Sequence, residues 1–335
     1  MIIEIPLFIR LLGVPGFLMD AGTSGNVAGR KCIMSELGEK VRMSIERLKA
    51  FAPKNGEGYY LAFSGGKDSV VCKALLEMAG VKYDAHYANT SVDPPELVRF
   101  IMDEHPDVSR EWQTYPDDYK NPALRGKRIT MWNLIPEKLM PPTRIARYCC
   151  KSLKESAGDG RKVVTGVRWA ESDARKKNQG IATIFDRSAI KEADNPEDFR
   201  ETKRGGVILV NDNEESRRMV EQCYKRSKTT VNPIIEWTDG DVWEFIRAEN
   251  IPYCGLYDEG YPRLGCIGCP IASQRWRERE FFRWPKYKDN YMRAFQNMLD
   301  ELNRRERKPR WETPLDVFNW WMEYDILPGQ MTFNE

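Results

Sequence analysis

The chain has 335 residues, with 52 lysines and arginines against 50 aspartates and glutamates and a formal net charge of +2. That length buries a sizeable core, in one large domain or a domain with a smaller companion, and the balance of charge excludes a global field for a polyanionic partner. No apolar run approaches the ~20 residues of a membrane-spanning helix, and the start Met1-Ile2-Ile3-Glu4-Ile5-Pro6 lacks the basic n-region of a secretory signal, so a cytoplasmic location with no membrane partner is expected.

Residues 1–33 are rich in glycine and apolar residues without helical period and read as a loosely attached extension, or upstream sequence brought in by the choice of start codon. Over 35–52, Leu37, Val41, Ile45, Leu48 and Phe51 recur at helical spacing. A strand is predicted at 59–63, a helix at 69–79, a second strand at 81–88, a helix at 95–105 and a short strand at 110–114. Residues 121–140 are basic and bounded by prolines, a loop plus helix, and 161–167 is a further strand. This alternation predicts an α/β fold with a parallel sheet between layers of helices, whose ligands bind beyond the C-terminal ends of the strands, where Ser64, Asn89 and Gly166 fall. Residues 176–230 are polar and read as an insertion with a small hairpin near Gly206–Val210. A second composition begins at Asn232, with a helix at 239–249, a Cys/Gly/Pro loop at 252–272 and aromatic, charged helices beyond. The expected division is 1–33, a nucleotide-binding domain over 34–235 and a helical region over 236–335.

Ser64-Gly65-Gly66-Lys67-Asp68-Ser69 lies between the first strand and its helix. Two glycines let the backbone turn and bring amide N–H groups to an anion, and the helix N-terminus adds partial positive charge. Ser64, Ser69 and Lys67 supply donors, and Asp68 either caps the helix or helps hold a metal ion. The spacing is not that of a Walker A loop, Gly-x-x-x-x-Gly-Lys-Ser/Thr. The plainer alternative is a Gly-Gly turn capped by Asp68.

The hexapeptide resembles the SGGxDS pyrophosphate loop of N-type ATP pyrophosphatases and sulfonucleotide reductases. Asn89-Thr90 through Pro95-Glu96 is similar to the loop after the second strand of phosphoadenylylsulfate (PAPS) reductases, with Asn89, Thr90 and Ser91 in place of the common Asp-Thr-Gly. Gly166-Val167-Arg168-Trp169-Ala170-Glu171-Ser172-Asp173-Ala174-Arg175 resembles that family's Gly-x-Arg-x-x-Glu-Ser-x-x-Arg, and Asn232-Pro233-Ile234 with Trp237-Thr238 and Asp241-Val242-Trp243 resembles the segment before its C-terminal cysteines. The resemblance covers about residues 40–275 and implies an adenine nucleotide α-hydrolase-like fold. It also implies a site for ATP or an adenylyl sulfonucleotide with Mg²⁺, built from Ser64, Gly65, Gly66, Lys67, Asp68, Ser69, Asn89, Thr90, Gly166, Arg168, Glu171 and Arg175, with Lys67, Asp68 and Arg168 in the catalytic roles. Arg168 and Arg175 follow a strand end and have the fork that binds phosphate; the alternative is a structural pair of either with Glu171. For Thr90 the alternative is an ordinary turn residue.

Eight cysteines in a reducing compartment read as metal or redox groups before disulfides. With only His86 and His105 as histidines, His-based metal sites are poorly supported. Cys149-Cys150 precedes Cys266-Ile267-Gly268-Cys269 by a long gap, and a Cys-x-x-Cys on a Gly/Pro loop places two thiolates on one metal or cluster. The pattern resembles the [4Fe–4S]-binding adenylylsulfate (APS) reductases, and enzymes of DNA phosphorothioation in this superfamily also carry a cluster. Cys254 is a fifth candidate for four positions. Adjacent residues point in different directions, which favours Cys254 over Cys149 as the partner of Cys150, Cys266 and Cys269. The alternatives are a structural zinc or buried thiols, the latter being expected for Cys32, Cys72 and Cys223.

Residues 274–311 interleave arginines with aromatics, a pattern that grips nucleic-acid backbones and stacks on bases; the alternative is amphipathic helices with Phe281, Trp284, Tyr291, Phe295, Met298 and Leu302 as the buried stripe. Sulfite-forming reductases of the resembled family use a cysteine near the C-terminus, in a Glu-Cys-Gly-Leu-His type tail, and this sequence has none after Cys269. The expected function is therefore an ATP pyrophosphatase that adenylates an acceptor for sulfur transfer, with a sulfur donor protein and a DNA or RNA acceptor as candidate partners. The alternatives are an APS or PAPS reductase and a non-catalytic nucleotide or nucleic-acid binding protein.

Overall fold

The computed structural model describes residues 36–155, 158, 160–184, 198–201, 207–210 and 229–324. The extension at 1–33, Cys32, Cys223 and Gly206 lie outside them. The fold is α/β: eight strands form one sheet in the order β3-β2-β1-β4-β8-β5-β7-β6, with flanking helices. The chain divides into two compact units, residues 1–86 with 158–254, and residues 87–157 with 255–335. Among the described residues no helix is long and apolar enough to cross a membrane.

In the first unit β1 (Tyr59–Ala62) runs parallel to β2 (Tyr83–Ala88) and to β4 (Lys162–Val164), and β4 runs parallel to β8 (Thr229–Val231). Beyond β8 the direction reverses. β5 (Ala182–Ile184) is antiparallel to β8 and to β7 (Val207–Leu209), which is antiparallel to β6 (Phe199–Glu201). Within the described part of 176–230, β6 and β7 pair as the expected hairpin, and β7, fully buried at Val207, Ile208 and Leu209, joins it to the main sheet through β5. Strands of three residues bounded by polar sequence give too little period-2 pattern to read in advance.

Helix α1 (Glu36–Ala50) packs on α2 (Lys67–Ala79), which packs on the helix Asp239–Ala248. The buried face of α1 contains Leu37, Val41 and Leu48 as the spacing predicts, but also Ser44 and Arg47. These two polar groups hold the segment after β8. The Ser44 hydroxyl donates to Pro233 O at 2.9 Å and accepts from Trp237 Nε1 at 3.2 Å. Arg47 forks onto Glu236 at 3.0 and 3.1 Å and reaches Pro233 O.

The second unit contains β3 (Ser109–Glu111), the helices α3 (Pro95–Glu104) and α4 (Met131–Lys138), and three C-terminal helices, Gln274–Arg283, Pro285–Arg304 and Pro314–Met322. The long helix Pro285–Arg304 packs on α4 and on both neighbours. Phe281, Trp284, Tyr291, Phe295, Met298 and Leu302 are all buried, with Trp321 beside them.

Removing Arg47 strips the fork from Glu236 and opens a void between α1 and the segment after β8. Arg47→Ala is expected to cost about 2–4 kcal/mol, read from urea unfolding at constant m-value; a loss under about 0.5 kcal/mol contradicts this account of the packing.

Candidate functional site

The loop between β1 and α2 folds as its glycines predict. Gly65 takes φ +73° and Gly66 is the extended N-cap of α2. Asp68 is not the cap: it lies in the first turn and its carboxylate faces two cations. The Ser69 hydroxyl donates to Gly66 O at 2.8 Å and lies 3.3 Å from Ser64 Oγ, which closes the loop on itself.

Arg168, 1% exposed, donates from Nε to Asp68 Oδ1 at 2.7 Å, from Nη2 to Asp239 Oδ1 at 2.5 Å and from Nη1 to Trp237 O at 3.3 Å. Lys67 Nζ lies 3.2 Å from Asp68 Oδ2 and 3.4 Å from Asp239 Oδ1. Two cations and two carboxylates thus meet at the N-terminus of α2, where the helix dipole adds positive potential. Burial works against the charge of Arg168, but Asp68 and Asp239 outweigh it and hold its pKa above the ordinary value. Burial likewise works against the Asp239 carboxylate, and Arg168 and Lys67 outweigh it and hold its pKa down.

This meeting depends on Gly166, just beyond β4. A Cβ there would lie 2.8 Å from Asp68 Cβ and 2.9 Å from the Asp68 carbonyl carbon and oxygen, so only glycine lets the two loops approach. Glu171 accepts from the Arg168 backbone N–H at 3.0 Å and pairs with Arg175 at 2.7 Å, so Arg175 makes the structural Arg–Glu pair rather than joining the cluster. Asp239 was not singled out by sequence. It sits in Thr238-Asp239-Gly240-Asp241, where Thr238 and Asp241 cap the helix reciprocally, leaving Asp239 to turn toward Arg168. A first-turn acid is visible in sequence; its partner 71 residues away is not.

Asn89 and Thr90 belong to the second unit. Asn89 Oδ1 accepts from Ser91 N at 3.0 Å, an Asx-type turn. Thr90 is fully buried, donates to Asp93 Oδ2 at 2.7 Å and lies 3.7 Å from Cys266 Sγ. The structure thus groups Thr90 with the cysteines.

Cys149 and Cys150 lie on the helical turn Tyr148–Cys150, which runs into a π-helical turn at Lys151–Glu155. The two adjacent thiols interact: the Cys149–Cys150 hydrogen bond, with burial, raises the Cys149 pKa, and Cys266 and Cys269 add to the effect. The same bond, helped by Arg147 and Lys154, pulls Cys150 down. Burial pushes the Cys266 thiol up to about 12 against the pull of Lys154. Four of the five candidate ligands therefore act on one another within one unit, and Cys254 is a buried residue of the other. No trio of His, Cys, Asp or Glu among the described residues converges as tightly as a single metal ion requires.

The Cys266–Cys269 loop is held by its backbone. Gly268 takes φ +72°, and a Cβ there would lie 2.7 Å from Phe281 Cζ. Its N–H donates to Glu280 Oε2 at 2.8 Å, and Tyr291 OH donates to Ile267 O at 2.9 Å. Burial raises the Glu280 carboxyl to about 7, against the lowering effect of the Gly268 N–H. The neighbouring arginines are engaged internally: Arg279 lies over Tyr261 and Trp276 and donates to Glu259 O, Arg283 pairs with Glu96 and Glu259, and Arg304 and Arg305 pair with Glu301. These contacts are those of amphipathic helices with packed arginine stems.

The profile of the phosphoadenosine phosphosulfate reductase domain matches residues 58–272. The chain belongs to the phosphoadenosine phosphosulfate reductase family. It is 27% identical over 250 residues to an uncharacterised protein of Methanocaldococcus jannaschii, which covers 72% of this chain and 47% of that protein. The chain spans about half the length of the first curated relatives it matches. An adenosine 5'-phosphosulfate reductase of Oceanobacillus iheyensis is 46% identical over 76 residues, 19% of this chain and 32% of that one. The solved phosphate complex of the phosphoadenylyl-sulfate reductase of Candida auris matches with 11% identity and a TM-score of 0.36 over 72% of this chain and 98% of that one.

Two outcomes follow for this family member. Gly166→Ala pushes Asp68 and the loop away from Arg168 and is expected to weaken adenine-nucleotide binding at least tenfold while the circular dichroism spectrum is kept; unchanged affinity in calorimetry contradicts the close-approach account. Glu280 binds its proton more tightly when folded, near pH 7, than at its ordinary 4.5. Its stabilising contribution is therefore full below about pH 4.5 and lost as pH rises through 7, on the order of 3 kcal/mol. Glu280→Gln is expected to gain stability relative to the parent between pH 5 and pH 8; a difference that stays flat with pH contradicts the buried-carboxyl assignment.

Proposed function

We propose that the chain binds ATP with Mg²⁺ at Ser64–Ser69 and transfers its adenylyl group to an acceptor oxygen, the activating step of a sulfur transfer. The acceptor oxygen attacks the α-phosphorus, the α–β anhydride bond breaks and pyrophosphate leaves; a sulfur nucleophile then displaces AMP. The observation that carries this reading is the meeting of Lys67 and Arg168 on Asp68 and Asp239 at the start of α2. Free, the cations are neutralised by the carboxylates. Asp68 and Asp239 would hold Mg²⁺, which would supply positive charge to the phosphates beside Lys67 and the loop amides. Fixed donors of this kind stabilise charge on a departing oxygen, each worth about 3–4 kcal/mol in the transition state.

The thiol nearest this loop supports a reaction that does not use it. Cys72 on α2 is fully buried, and burial together with Asp68 pushes its pKa up, so it supplies no thiolate.

Cys149, Cys150, Cys266 and Cys269 are the residues to hold a [4Fe–4S] cluster. Four mutually acting thiols, Lys154 charged beside Cys266, and orphaned donors on Arg277 beside Cys269 suit an anionic sulfur group. When bound, such a cluster carries electrons or sulfur.

The second reading is reduction of APS or PAPS to sulfite, favoured by the family's domain and by the 46% identity to a short stretch of an APS reductase. Anaerobic protein given Mg²⁺-ATP, a persulfide-bearing sulfur donor and nucleic acid is expected to release pyrophosphate and AMP, and with APS or PAPS to make little sulfite. Robust thioredoxin-dependent sulfite formation overturns the adenylation reading. The same preparation is expected to be brown, with about four irons per chain, and to be bleached by Cys266→Ser or Cys269→Ser. Stoichiometric zinc without iron overturns the cluster.

A further inference from the structure

Arg277, on the helix Gln274–Arg283, is among the most buried charges in the described residues, at 1% exposure. Its Nη1 donates to Trp321 O at 2.6 Å and its guanidinium lies over the Trp321 ring. Nη2 comes within 3.5 Å of Glu323 Oε1 but without hydrogen-bond alignment, and both Nε and Nη2 are buried with no hydrogen-bond partner among the described residues. A guanidinium has five N–H donors and no acceptor. Each buried donor left unmade costs about 1–3 kcal/mol, so the arrangement implies an acceptor on that side.

The surroundings limit what the acceptor is. Burial lowers the Arg277 pKa; Glu323, the Cys269 sulfur and the Tyr324 phenol act on it in the opposite direction, and Arg144 is the opposing positive group. Arg144 donates from Nε to Pro270 O at 3.0 Å, directly after Cys269. Two guanidinium groups thus flank the Cys269 end of the cysteine group, just as Lys154 and Thr90 lie at its Cys266 end. The Trp321 ring beneath Arg277 packs in turn on Phe281 and Phe318.

We propose that the Nε–H and Nη2–H of Arg277 donate to sulfur of the cluster that Cys149, Cys150, Cys266 and Cys269 hold, and so set its reduction potential. This rests on the cluster reading above. Donors to cluster sulfur draw off negative charge and favour the reduced state, which carries one electron more. Arg277 is a positioning and tuning residue in this role; it performs no chemistry on the nucleotide.

The test compares anaerobically purified full-length protein with Arg277→Gln and Arg277→Lys by iron and sulfide content, electron paramagnetic resonance of the reduced state and potentiometric titration. Arg277→Gln is expected to keep its iron, to change the resonance line shape and to shift the reduction equilibrium at least tenfold toward the oxidised form, about 59 mV for a one-electron couple. Arg277→Lys, which keeps the charge but loses the fork, is expected to shift in the same direction by less, and carries the test alone should the Gln variant fail to fold. Iron content, line shape and potential equal to the parent overturn the proposal and leave the cluster reading intact; a parent protein without iron overturns both.

Discussion

The guanidinium of Arg168 is the interaction on which the first unit turns. It joins Asp68, 100 residues before it, to Asp239, 71 residues after it, with almost no exposure to water. An unpaired charge at that depth is not tolerated, so the two carboxylates and the Trp237 carbonyl are structural requirements before they are anything else. Gly166 permits the approach, Glu171 fixes the backbone from which Arg168 projects, and Ser44 and Arg47 on α1 hold the segment that carries Trp237. The Ser64–Ser69 loop is one end of this chain of contacts. Its conformation follows from the packing of β4, β8 and the helix Asp239–Ala248 as much as from its own glycines.

The second unit reaches a comparable result with sulfur. The thiols of Cys149 and Cys150 interact on one helical turn, Gly268 lets the Cys-x-x-Cys loop lie flat on Phe281, and Thr90, Lys154 and Arg277 bring donors and positive charge to the thiols. Long-range contacts thus assemble both sites from residues whose local roles are ordinary: an Asx turn at Asn89, a capping box at Thr238, and an i,i+4 pair at Glu171 and Arg175.

Strand, loop and helix from Tyr59 to Ala79 were legible because apolar run, Gly-Gly and apolar period follow one another without conflict, and the α/β class followed from that alternation. The apolar run of β7 was legible as part of a hairpin, but β5 and β6 and their joining of the main sheet were not, since three-residue segments in polar sequence carry no period. Of the site, Lys67, Asp68, Gly166 and Arg168 were readable as a set and the structure gathers them. Arg175 was given a phosphate role from its place after a strand end and its guanidinium fork; in the structure it pairs with Glu171, four residues before it. Cys149 was set behind Cys254 on the rule that adjacent side chains diverge, whereas in the structure its thiol interacts with that of Cys150 and Cys254 belongs to the other unit. Asp239 and Arg277 were beyond reach because a partner's position, not a motif, gives each its meaning.

The central claim is that Lys67 and its loop cradle a nucleotide's phosphates. Titrating Mg²⁺-ATP into folded Lys67→Ala by isothermal calorimetry tests it most directly. With the ammonium gone, Asp68 and Asp239 face the phosphates less screened, and affinity is expected to fall at least tenfold, about 1.4 kcal/mol, with the unfolding midpoint little changed. Affinity equal to the parent's in a folded Lys67→Ala protein contradicts the account.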